Sequence, residues 1–108
     1  MSLSQAQKKA MRSIGHHLHP VVTVAENGLT ENVMAEIERA LADHELIKIK
    51  LAQGEREMRQ QLIDTITRQT QAEIVQTIGK MALFYRTNPN ANPKLSNVVR
   101  ASEHHGRR

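Results

Sequence analysis

Val21-Val22-Thr23-Val24-Ala25-Glu26-Asn27-Gly28-Leu29-Thr30 reads as a strand, a turn and a helix start in immediate succession. The run Val21–Ala25 is apolar on both faces, as expected of a strand covered on both sides or nearly so. Glu26-Asn27-Gly28 ends it, and Gly28 can take positive φ and lets another backbone come close. Thr30 is a good N-cap for a helix whose first N–H groups stay free at the positive end of its dipole. Such a junction is a ready phosphate site. In a basic chain almost without aromatic residues it points to a nucleic-acid backbone as the ligand.

Outward from this junction the periodicity is easy to follow. Upstream, Ser4-Gln5-Ala6-Gln7 forms a capping box. A helix behind it sets Ala10, Met11 and Ile14 against Lys8, Lys9 and Arg12, with Gly15 as its C′ stop. Downstream, a second helix runs from Glu31 to about Asp43. It turns Val33, Met34, Ile37, Ala40 and Leu41 inward, and Glu31, Glu36, Glu38 and Arg39 to water. Leu46–Leu51 alternates, placing Ile47, Ile49 and Leu51 on one face and Lys48 and Lys50 on the other. Gln53-Gly54 breaks that strand. A third helix, about Glu55 to Gln69, buries Met58, Leu62, Ile63 and Ile66. Glu73–Ile78, the tight turn Gly79-Lys80 and Met81–Arg86 complete a hairpin.

The order α-β-α-β-α-β-β predicts a two-layer α/β domain with a mixed four-stranded sheet. Right-handed crossovers join the parallel strands, and the last hairpin adds an antiparallel one. Residues 1–87 are expected to form the domain. Residues 88–108 are rich in Asn, Pro and basic residues and read as a flexible tail, in which Leu95, Val98 and Val99 can make one short docking turn.

The chain has 108 residues and no cysteine, so disulfides, thiolate zinc sites and cysteine nucleophiles are excluded. This suits a reducing cytosol, and a cytoplasmic location is expected. No apolar stretch approaches the length of a membrane span. The formal charge is +4, distributed as +3 over residues 1–20, −4 over 21–79 and +5 over 80–108. Such polarity suits one positive face turned to a polyanion; the plainer reading is a solvated surface with a basic tail.

Lys8, Lys9, Arg12, Lys48, Lys50, Lys80 and Arg86 are the cations on folded segments that can track a phosphate backbone. Solubility alone also explains exposed cations, and Arg86, closing a strand, equally suits a structural ion pair. Phe84 and Tyr85 point to opposite faces, so one lines the core and the other is left for a base. One aromatic is too few for a stacking platform, which favours backbone and shape recognition. His16, His17 and His19 lack the further ligands of a zinc site. No Walker A loop, nucleophile elbow or His-Glu-x-x-His motif occurs, so neither catalysis nor a small-molecule substrate, cofactor or metal is expected.

Gly15-His16-His17-Leu18-His19-Pro20-Val21-Val22, Asn27-Gly28-Leu29-Thr30, His44-Glu45-Leu46-Ile47-Lys48-Ile49-Lys50, and Ile78-Gly79-Lys80 with Leu83-Phe84-Tyr85-Arg86 occur in this order. Together they resemble the bacterial CRM-domain (YhbY-like) family over residues 3–87. The resemblance implies an RNA-binding domain with a fold similar to the C-terminal domain of translation initiation factor three. It also implies a phosphate loop similar to the Gly-x-x-Gly loop of KH domains, and a partner in ribosomal RNA within precursors of the large ribosomal subunit. This sequence departs from the loop pattern. Ala25-Glu26-Asn27-Gly28 has Ala25 for the first glycine and an acid at Glu26, so weaker loop binding is expected and more affinity is left to the cations.

The reading is therefore a monomeric, non-enzymatic RNA-binding protein of ribosome assembly. Ala25, Glu26, Asn27, Gly28, Leu29 and Thr30 form its loop site. The alternatives are a protein-interaction module that docks on ribosomal proteins through its acidic second helix, and a small DNA-binding protein.

Overall fold

The capping box forms as the spacing requires: Gln7 N–H donates to the Ser4 hydroxyl at 3.1 Å, and Ser4 N–H donates to the Gln7 side chain at 2.8 Å. It opens the first element of the computed structural model, which describes residues 3–52 and 54–99. The elements are α1 (Gln5–Gly15), β1 (Pro20–Val24), α2 (Glu31–His44), β2 (Leu46–Leu51), α3 (Arg56–Thr70), β3 (Glu73–Ile78) and β4 (Met81–Tyr85).

The sheet is mixed, in the order β1-β2-β4-β3. β1 and β2 are parallel, and β4 lies antiparallel to both β2 and β3. The β2-α3-β3 crossover therefore returns in the expected direction but leaves a gap one strand wide, which the hairpin fills with β4. Class, element order and sheet type agree with the sequence reading.

Period-two alternation divides the sheet into two faces. Val22, Val24, Ile47, Ile49, Leu51, Ala82 and Phe84 point to α2 and α3 and meet Ile37, Leu41, Ile63 and Ile66 in the main core. Phe84 is its largest fully buried side chain, and truncation to Ala would cost about 3–5 kcal/mol. On the other face Leu46, Val75 and Leu83 meet Met11, with Ile14, Leu18, Tyr85 and Val98 at the margin. So α1 lies across part of the second face, and the expected two layers become two and a fraction.

Several local expectations change. Val21 is 48% exposed and Thr23 is exposed, so β1 is covered on one side only, and Ala25 belongs to the turn. The apolar outer face of β1 had suggested double cover, but α1 stops short of it. Met58 is 46% exposed rather than buried, one turn too early on α3 to reach the sheet. Gly15 is helical, and its cap His16 is also right-handed. A Cβ on Gly15 would stand 2.5 Å from Leu83 Cδ2, so this glycine permits close approach of helix to sheet, not a left-handed stop.

The boundary after Thr87 is not where packing ends. Glu45, 5% exposed, accepts hydrogen bonds from Asn88 N–H and the buried Ser96 hydroxyl, both at 2.7 Å. Asn88 Nδ2 donates to Ala42 O, and Asn97 Nδ2 to Leu46 O. Residues 88–99 thus form a strap over the α2–β2 junction, where polar side chains do what apolar periodicity does elsewhere. The remainder of the expected tail, 100–108, lies outside the described residues, as does Gln53.

Candidate nucleic-acid interface

The turn after β1 is built by short-range forces. Gly28 N–H donates to Ala25 O at 2.9 Å, and Gly28 sits at φ +70°. No atom lies within 4 Å of where its Cβ would be, so glycine is required by dihedral, not by space. Ala25 is not among the described non-glycine residues with positive φ, which are Glu45 and Gln71. The absent first glycine therefore costs the turn nothing in backbone geometry.

Thr30 follows in extended conformation (φ −69°, ψ 167°), and its hydroxyl accepts from Val33 N–H at 3.1 Å. The earlier N–H groups of α2, from Glu31 and Asn32, have no intrahelical acceptor. Ala25, Glu26 and Asn27 are exposed, whereas Leu29 packs against the main core. Leu29 anchors the turn from below, and the exposed Glu26 carboxylate is the feature that opposes an anion there.

Strand direction decides what lies beside the turn. β1, β2 and β3 all run the same way, so their C-terminal ends share one sheet edge. Two hydrogen bonds tie that edge together, Ala52 N–H to Val24 O at 2.9 Å and Leu51 N–H to Lys80 O at 2.7 Å. The Ala25–Thr30 turn, the exposed Lys80 and the exposed Lys50 accordingly belong to one edge. Lys48, half-buried, stands two residues back from Lys50 on the same face.

The other expected cations are elsewhere. Arg86 lies beyond the far end of β4 and donates to Glu38 Oε2 at 2.6 Å and to Thr70 O at 3.0 Å. Its guanidinium holds α2, α3 and β4 together, and Glu38 correspondingly does not simply face water. Lys8 lies 3.9 Å from Glu73 Oε2, at the start of β3, which is also the far edge. Lys9 is exposed and Arg12 half-buried, both on α1.

Arg56 is a cation missed in the sequence. It is exposed in the first turn of α3, on the same edge as the Gly28 turn. A positive side chain at a helix start works against the dipole, and that misfit was the available signal. Tyr85 is half-buried against Leu46 and Leu83, so it is engaged in packing on the second face. Among the described residues no cluster of His, Asp or Glu suits a metal ion, and no helix is long and apolar enough to cross a membrane.

The glycine turn, the capped N-terminus of α2 and the exposed Lys50 and Lys80 thus stand along one edge of the sheet. The chain belongs to the CRS1 / YhbY (CRM) domain family, which it matches over residues 3–86. It is 61% identical over 100 residues to a Pseudomonas aeruginosa protein named "Probable RNA-binding protein", covering 93% of this chain and 96% of that one. A Haemophilus influenzae protein named "RNA-binding protein" is 49% identical over 94 residues, covering 87% and 95%. The solution structure of a hypothetical protein from Staphylococcus aureus superimposes with a TM-score of 0.74 at 30% identity, covering 88% of this chain and 98% of the other.

Proposed function

We propose that this chain is a non-enzymatic RNA-binding protein that acts, as a cytoplasmic monomer, on ribosomal RNA in precursors of the large ribosomal subunit. The observation that carries the reading is the shared edge. The Gly28 turn with the α2 N-terminus offers one phosphate seat, and Lys80, Lys50 and Lys48 continue from it. Two relatives at 61% and 49% identity bear names that state RNA binding, which supports RNA as the polyanion. The ribosomal part of the proposal rests on family resemblance.

Mechanically, the backbone N–H groups at the start of α2 donate to a phosphate oxygen while the helix dipole favours its charge. The lysines neutralise neighbouring phosphates and release counterions. Three such contacts predict a slope of about −2 to −3 in log K against log salt. Phosphate contacts position a duplex without reading it, so sequence preference is small. The acidic-helix alternative loses ground because Glu38, one of its charges, is held by Arg86.

The test is crosslinking and sequencing of RNA bound in cells, beside a Gly28→Asp variant. Crosslinks concentrated in large-subunit ribosomal RNA and lost in the variant are expected. Enrichment no greater than background would overturn the proposal. In vitro, binding to structured RNA insensitive to salt, or outcompeted by duplex DNA at equal salt, would do the same.

A further inference from the structure

α1 covers only part of the second sheet face, and the part it leaves open is organised. Cross-strand register aligns Lys48, Leu83 and Gln76 in one row, and Lys50, Met81 and Ile78 in the next. Paired residues in a sheet project from the same side. Between these rows and the C-terminal end of α1 lies a cavity of about 120 Å³, whose lining includes Gly15, His16, Lys48, Gln76, Ile78 and Met81.

Its composition is specific. The floor is aliphatic and thioether, from Leu83, Met81 and Ile78, and Ile78 is 63% exposed. One neutral amide, Gln76, offers both a donor and an acceptor at the wall. The charged or titratable groups at the rim are Lys48 and His16, with Lys50 in the adjoining row; among the described residues no carboxylate lines it. Gly15 matters here, because a side chain on it would collide with Leu83 and displace the helix end that forms one wall.

We infer that this cavity is a seat for a single unpaired RNA base, distinct from the phosphate seat at the Gly28 turn. A base is flat and apolar on its faces and carries donors and acceptors at its edge, which is the polarity this cavity complements. The volume suits one ring system. A base is linked to phosphates on either side, and cations stand at the rim to meet them. Single-stranded bases are the elements of RNA that proteins can grip individually. The inference rests on the RNA-binding reading and extends it: the edge holds backbone, and the open face selects RNA with an unstacked nucleotide nearby.

The experiment compares two fluorescein-labelled RNA hairpins by anisotropy at fixed salt. One is blunt and the other carries a short unpaired adenosine extension. Wild-type protein should bind the extended hairpin roughly tenfold more tightly, equivalent to about 1.4 kcal/mol. Ile78→Ser, neutral and at an exposed position, should abolish that gain and leave blunt-hairpin affinity within about twofold, with thermal unfolding unchanged. Gln76→Ala should reduce the gain. Equal binding of both hairpins, or a gain that survives Ile78→Ser, overturns the base seat; the RNA reading then still stands if Gly28→Asp weakens both hairpins. If neither hairpin binds, both readings fall. If Ile78→Ser leaves RNA binding untouched but releases a co-purifying protein, the face docks protein and the base seat is overturned.

Discussion

Glu45 should show an inverted order of substitution. It caps α2 at φ +61°, ψ −49°, a region that side chains occupy only under strain. Its buried carboxylate accepts from Asn88 N–H and the Ser96 hydroxyl, each at 2.7 Å, and Ser96 is fully buried. Truncation to Ala leaves the strain and strands both donors, at about 1–3 kcal/mol for each unsatisfied group. The relief of desolvating a carboxylate offsets part of this, so a net loss of about 3 kcal/mol is expected for Glu45→Ala. Glu45→Gly loses the same acceptors but relaxes the backbone, worth about 1 kcal/mol after the extra chain entropy of glycine. Gly should therefore be less damaging than Ala, the reverse of their order inside a helix. For Glu45→Gln the cost should be about 1 kcal/mol, since the Ser96 hydroxyl can turn and accept from the new amide. Urea unfolding followed by circular dichroism gives all three values. Glu45→Ala as stable as wild type, or more stable than Glu45→Gly, would refute the account of both the clasp and the strain.

Arg86→Gln should lower stability by about 1–2 kcal/mol while leaving the salt slope of RNA binding unchanged, whereas Lys50→Gln should reduce that slope by about one unit; titrations at several salt concentrations separate them. Gly28→Ala should cost about 1 kcal/mol through its dihedral alone, and Gly28→Asn markedly less, in thermal unfolding. Gly15→Ala should destabilise by about 1–3 kcal/mol through overpacking, and the loss should shrink in a Leu83→Ala background, as a double-mutant cycle would report. Glu26→Gln should tighten RNA binding severalfold by removing the acid at the turn, measured by anisotropy.

The regular elements were legible because each obeys a short-range rule. The Ser4 box, the Thr30 cap, the alternation of Leu46–Leu51 and the Gly79-Lys80 turn all depend on neighbours within a few residues. What escaped the sequence depends on distance. Gly15 looks like a helix stop until Leu83 is placed beside it. Asn88, Ser96 and Asn97 look like loop chemistry until Glu45 and Leu46 O appear beneath them. The site divides the same way. The turn residues 25–30 could be read locally, as a glycine dihedral and a cap. Which cations stand near them depends on strand order, which brings Lys80 beside Leu51 and sends Arg86 to Glu38.

The position of β4 bears on how the chain comes to be folded during synthesis. It is the last of the described strands in chain order, yet it lies inside the sheet, between β2 and β3. Until it emerges, β2 keeps a bare hydrogen-bonding edge and β3 has no partner at all. Such edges invite pairing with other chains. The centre of the sheet is therefore left to the strand translated last among those described. Ala82, Leu83 and Phe84 pair with β2 on one side and β3 on the other, so the continuity of the whole sheet depends on this late segment.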